Sequence, residues 1–288
     1  MSFVKVILIF VLASCFLQAC LSNYENEIIS TENTISSMGI NVSRLTNVNE
    51  IPDEKVSYDE RSLIAEKLNK GTLLEINDLR YYEFLSLLKS ELMKYPSDIL
   101  INDVDDIFVA GQILSEKERN TAGFFYSKSQ NIYLFPLVFD TPGFEDDTSI
   151  HGTIHHEISS ILLRKHRFDM IGFMTFNGSE LEYWHDEDKI LEVQLPSYYA
   201  TDFLLNEGIL THYAQTSPEN DYNGYVEVAF AYPEIMSKYC SRYDRINLKY
   251  EFIKKFYLSI SPDFQPVFDQ VNCGDKRQSF AKAENLGA

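Results

Sequence analysis

The chain reads as an α+β protein in which a small antiparallel or mixed sheet is followed by a long histidine-bearing helix and a helical C-terminal part. Three observations predict this. Residues 77–95, 150–166, 221–239 and 244–259 carry apolar side chains at helical spacing. Residues 105–114 and the runs on either side of Ser127-Lys128-Ser129-Gln130 are short, aromatic and β-branched, which suits strands, the second pair joined as a hairpin. The strands come before the helices instead of alternating with them, which segregates sheet and helix.

Composition sets the limits. With 45% hydrophobic and 14% aromatic residues in 288, the chain can bury a sizeable core. A formal charge of −18 excludes nucleic acid and anionic lipid headgroups as electrostatic partners.

Taken in order, the N-terminus comes first. Lys5 precedes an apolar run from Val6 to Leu17, too short to span a bilayer and suited to a signal-peptide core. It ends in Leu17-Gln18-Ala19-Cys20, which resembles the bacterial lipobox. That resemblance implies loss of residues 1–19, a lipid on Cys20 that holds the protein to a membrane, and a place in the cell envelope, at the outer membrane, facing the periplasm or the surface. A plain secretory signal or a short buried helix is the alternative. Residues 20–56 are polar with scattered apolar positions and read as the lipidated cysteine and a flexible tether, with a reach of about 30–40 Å. A single domain is expected over 57–265, and a polar tail over 266–288. Within the domain, 59–69 and 77–95 are helices, the second with Asn77 or Asp78 as N-cap and Pro96 as its stop. Once Cys15 leaves and Cys20 takes lipid, Cys240 and Cys273 remain. They can pair as a disulfide in an oxidising compartment or stay as two buried thiols.

The helix over 150–166 carries four of the six histidines. At about 100° per residue, Ile150, Ile154, Ile158, Ile161 and Leu162 form one stripe, the buried face. His156, Glu157 and Ser160 fall together on roughly the opposite side. This is the spacing of HExxH, where histidines at i and i+4 converge on one zinc and the glutamate serves its water. Here serine stands at the second histidine position. His151 and His155 form another i, i+4 pair about 100° round the helix, with Gly152 where a general base would sit.

Thr153-Ile154-His155-His156-Glu157 resembles the start of the active-site helix in a family of candidate zinc-binding metallopeptidases, lipoproteins of bacteroidete envelopes that are similar in fold to zincins. Asp106–Gly111 and the hairpin from Gly123 to Phe135 resemble that family's lead-in, and Gly208-Ile209-Leu210-Thr211-His212-Tyr213-Ala214 resembles its later segment. The resemblance covers about residues 100–240. It implies a zincin-like fold, Glu157 as general base, Tyr213 as oxyanion stabiliser and His156 as a zinc ligand. It also departs from the family pattern: Ser160 and Asn220 occupy the other two ligand positions, with Glu219 one residue away across the Ser217-Pro218 loop.

Two functions follow as expectations. One is a zinc-dependent peptide hydrolase that recruits the metal through His156 with His155 or His151 and an acid such as Glu219. The other is an inactive zincin-like protein whose cleft binds peptide or glycan, or supports an envelope assembly in nutrient import.

Overall fold

The computed structural model describes residues 24–46, 60, 71–115, 122–137, 148–185 and 201–274. Helix α1 runs through residues 24–37 and leads into strand β1 (Asn41–Arg44). Strand β2 (Gly71–Leu74), helices α2 (Asp78–Leu92) and α3 (Ser97–Asp103), and strands β3 (Asp106–Val109), β4 (Gln112–Ser115), β5 (Gly123–Tyr126) and β6 (Asn131–Leu134) follow. After them come α4 (Thr148–Lys165), α5 (Met170–Met174), α6 (Asp202–Glu207), a 3-10 turn at Tyr213–Thr216, α7 (Pro218–Ala231), α8 (Pro233–Arg242), α9 (Asp244–Ile260) and α10 (Gln265–Phe268).

The main sheet is mixed, in the order β1-β3-β6-β5. β3 lies parallel to β1 and β6, and β5 is antiparallel to β6; β2 and β4 form a separate antiparallel pair. The two central strands, DIFV and NIYL, are buried along their whole length, as strands covered on both faces must be. Ile107, Val109, Ile132 and Leu134 face the helices and share a core with Ile154, Ile158, Ile161 and Leu162 of α4. On the other face Tyr133 stacks between Phe108 and Phe124, with ring centroids 5.1 and 4.7 Å apart. Beneath it Glu60 accepts hydrogen bonds from Ser129, Asn131 and Tyr133. The isoleucine stripe is thus the buried face of α4, with Ile150 only partly covered at its edge.

Asn77 caps α2, its side chain accepting from the Arg80 amide at 3.0 Å. The hairpin turns at 127–130, as its polar residues predict.

Three boundaries differ from the sequence reading. Residues 24–46, expected within the tether, are folded: Ile35, Ile40 and Leu45 enter the core and β1 adds a parallel strand to β3. A few scattered apolar side chains suffice there because the partner strand, some sixty residues on, supplies the ladder. Second, Ser217-Pro218 is not an adjustable loop. Ser217 accepts from the Asn220 amide as N-cap and Pro218 opens α7. Third, the packed body continues past residue 265, since Val267 and Phe268 are buried and Tyr250 donates to the Phe268 carbonyl. Cys240 on α8 is bonded to Cys273, with Cα atoms 5.0 Å apart. Cys20 and the 1–19 segment lie outside the described residues, as does most of helix 59–69. Among the described residues no helix is long and apolar enough to cross a membrane.

Candidate functional site

Helix α4 is held between α2 on one flank and α7 on the other, and its histidines divide between them. His156 faces α7. Its Nδ1 lies 2.5 Å from Glu227 Oε1 and its Nε2 lies 3.1 Å from the side-chain nitrogen of Asn223. That amide also reaches Ser160 Oγ at 2.8 Å and Ser159 Oγ at 2.6 Å. Asn223 and Glu227 are one turn apart on α7, so they present to one point of α4.

Burial alone would lower the His156 pKa. The hydrogen bond to Glu227, then the charges of Glu227, Glu157 and Glu219, overcome it and raise the pKa to about 9. The ring is therefore an imidazolium at neutral pH, and both its nitrogens donate. With the Asn223 nitrogen toward Nε2, two donors would oppose each other across 3.1 Å. Ser159 would also owe its one proton both to the His156 carbonyl, 2.8 Å away, and to Asn223 Oδ1. A half-turn of the amide resolves both conflicts: Oδ1 accepts from Nε2 and Ser160, Nδ2 donates to Ser159 Oγ, and Ser159 keeps its bond to the carbonyl.

His151 and His155 face α2. The Glu91 carboxylate, nearly fully buried, takes His151 Nδ1 at 2.8 Å on one oxygen, and His155 Nε2 at 2.6 Å together with the Lys94 ammonium on the other. Burial pushes the Glu91 pKa up, but hydrogen bonds from His151, His155 and Lys94 more than offset it and hold the carboxyl well below its usual range. Burial keeps His155 neutral. Its Nδ1 lies 2.9 Å from the Tyr95 hydroxyl, whose pKa is pushed far up by burial. The tautomer follows: Nδ1 accepts from Tyr95, and Nε2 donates to Glu91.

The remaining expected site residues are placed as follows. Glu157 is buried at the head of β5, where a Cβ on Gly123 would come within 2.9 Å of Thr153 Cγ2, 3.1 Å of the Tyr133 carbonyl and 3.2 Å of Glu157 Oε1. The Tyr213 ring centroid stands 5.9 Å from that of His156. His212 is buried, neither ring nitrogen is hydrogen-bonded among the described residues, and its ring is stacked over Trp184. Glu219 is engaged by Arg164 at 2.8 and 3.0 Å at the rim, and Asn220 turns back to donate to Thr216 Oγ1 at 2.7 Å. His166, at the C-terminal end of α4, meets Asp103 at 2.7 Å.

The structure thus brings His156, Ser160 and Tyr213 together beside Glu157, and it does not bring His155 or Glu219 to His156. His155 is spent on the opposite flank and Glu219 on an arginine. The residue set against Ser160 is Asn223, not Asn220, because α7 begins at Pro218 and its register follows from there. Asn223 and Glu227 were missed; a helix start at Ser217-Pro218 would have put both on the inward face. Zinc does not fit this arrangement. Glu227 lies on the Nδ1 side of His156, while at Nε2 the side chains at hand are a neutral amide and, through it, a neutral serine, and three anionic or imidazole ligands are the usual need. Among the described residues no group of three or more His, Cys, Asp or Glu side chains is placed to hold a metal ion.

No family model matches the chain, and no curated protein matches it either. One solved structure is similar at a distance: a candidate zinc-binding metallo-peptidase from Bacteroides caccae, 14% identical, with a TM-score of 0.44, covering 86% of this chain and 92% of that one.

Proposed function

We propose that this is a zincin-like protein of the cell envelope that does not hydrolyse peptides through zinc. Its surface between α4, β5 and the 213–216 turn binds a peptide or an envelope protein. The observation that carries the reading is the closure of the His156 ring, with Nδ1 on Glu227 and Nε2 on Asn223, while Ser160 is bonded to the same amide. A metal at Nε2 would have to displace the proton of a ring whose pKa is raised to about 9, which weakens binding at neutral pH. The zincin-like assignment is supported by the sequence resemblance and by a mixed sheet whose antiparallel strand β5 packs beside the histidine helix. Binding of an extended chain is supported by β5, which among the described residues has β6 as its one ladder neighbour. The lipid-anchored placement rests on Leu17-Gln18-Ala19-Cys20.

The test is zinc titration by calorimetry of chelator-treated full-length protein at neutral pH, with peptide-cleavage assays alongside. No stoichiometric binding and no metal-dependent cleavage are expected. One tightly bound zinc per chain, with cleavage that a chelator abolishes, would replace this reading with the hydrolase in which Glu157 is the base and Tyr213 assists the oxyanion.

A further inference from the structure

The most deeply buried charged groups in the described residues lie outside the histidine site. Lys249 of α9 and Asp221 of α7 are both fully inaccessible, with Lys249 Nζ 2.5 Å from Asp221 Oδ2. Aromatic rings wall the pair: Nζ stands 4.6 Å from the Phe173 centroid and 5.6 Å from that of Tyr225. The Tyr183 hydroxyl donates to Asp221 Oδ2 at 2.6 Å, and Nζ donates to the Gly208 carbonyl at 3.0 Å. Asp221 Oδ1 is buried with no hydrogen-bond partner among the described residues.

As an ion pair this arrangement is badly matched. An ammonium brings three donors, and two acceptors are in reach. A carboxylate has two oxygens to satisfy, and one is orphaned in an apolar setting at full desolvation cost. Burial pushes the Asp221 pKa up and the Lys249 pKa down, so both shifts favour the neutral pair over the ion pair. The neutral pair then has defined roles. Oδ2, accepting from Tyr183 and Lys249, is the carbonyl oxygen, and Oδ1 is the hydroxyl.

We propose that Lys249 and Asp221 condense to an intramolecular isopeptide bond linking α9 to α7. The Nζ lone pair attacks Cγ, the Nζ–Cγ bond forms and the Cγ–Oδ1 bond breaks. The Oδ1 hydroxyl leaves with one amine proton as water, so atoms and charge balance without a co-reactant. Tyr183 keeps its proton and stabilises the charge that builds on Oδ2. Contact between the two groups at a position inaccessible to bulk solvent supplies the effective concentration that makes amide formation competitive. The product also removes the mismatch: the amide N–H donates to Gly208, the amide oxygen accepts from Tyr183, and the orphaned oxygen is gone.

Peptide mapping by mass spectrometry of the reduced, denatured full-length protein decides this. Protease digestion is expected to give a branched product joining the peptides of Asp221 and Lys249, one water lighter than their sum, with no cleavage after Lys249. Lys249→Arg should give linear peptides throughout. Asp221→Asn should restore the branch with loss of ammonia in place of water. Linear peptides bearing free Lys249 and Asp221 as the main species of the parent protein would overturn the proposal, and this readout does not depend on any variant folding. The zinc titration above is unaffected by either outcome.

Discussion

Neutralising Glu227 tests the imidazolium at the centre of the site. Glu227→Gln keeps the volume and the hydrogen-bonding capacity but removes the charge that faces His156 Nδ1 at 2.5 Å. Both side chains are about six-sevenths buried, so solvent screening is weak. Against burial, Glu227 first and then the charges of Glu157 and Glu219 lift His156 from its ordinary value of 6.5 to about 9, and at about 1.4 kcal/mol per pH unit this net shift corresponds to about 3 kcal/mol, most of it from Glu227. The sign follows from the direction. A raised folded-state pKa gives stabilisation that is fully present below pH 6.5 and is lost as pH climbs through about 9. Urea denaturation of parent and variant at half-unit steps from pH 6 to 10 should show a gap of about 3 kcal/mol at pH 6 that closes by pH 10. Groups that titrate alike in both proteins cancel in the difference. Parallel stability profiles across this window would mean that His156 is neutral, and the donor assignments around Asn223 would fall with it.

Four shorter predictions accompany it. Ser160→His with Asn223→Asp should create a zinc site from His156 and the side chains introduced at positions 160 and 223, seen as a melting temperature that rises with zinc, with about 2.7 kcal/mol of stabilisation at a hundredfold excess over Kd; either single change should leave the melt insensitive to zinc. Ile158→Asp puts a charge at a fully buried core position and should cost several kcal/mol, abolishing the cooperative melt. Replacing Cys240 and Cys273 with serine opens a loop with a sequence separation of 33, which should lower the unfolding free energy by about 3–4 kcal/mol in denaturant titration. Cys20→Ala should abolish incorporation of a labelled fatty acid by cells, and label retained in that variant would refute the anchor.

The elements that the sequence made legible are those whose signal is local. The isoleucine stripe, the Asn77 cap and the 127–130 turn each announce themselves within a few residues, and each is where its pattern puts it. What was hidden depends on partners far along the chain. β1 has no strand signature of its own, and its place is set by Asp106–Val109. Likewise the spacing of His151 and His155 suggested a metal pair, whereas Glu91, sixty residues upstream, takes them both. At the candidate site the register of α7 was the deciding unknown. The family resemblance directed attention to Asn220, and a loop at Ser217-Pro218 to Glu219, while capping by Ser217 turns Asn223 and Glu227 inward.

The polar ties of α4 have a mechanical consequence. An apolar stripe resists being pulled off its sheet, but greasy contacts tolerate rolling about the helix axis, and neighbouring His155 and His156 would exchange places after a roll of about 100°. Here that rotation is braced from opposite sides: His151 and His155 pull on Glu91 of α2, while His156 and Ser160 pull on α7 through Glu227 and Asn223. Any roll that slackens one set strains the other, and every broken tie would strand a polar atom in the interior. The helix behaves as a shaft keyed to its housing, and Glu157 inherits a fixed bearing toward the head of β5 without needing a metal to aim it.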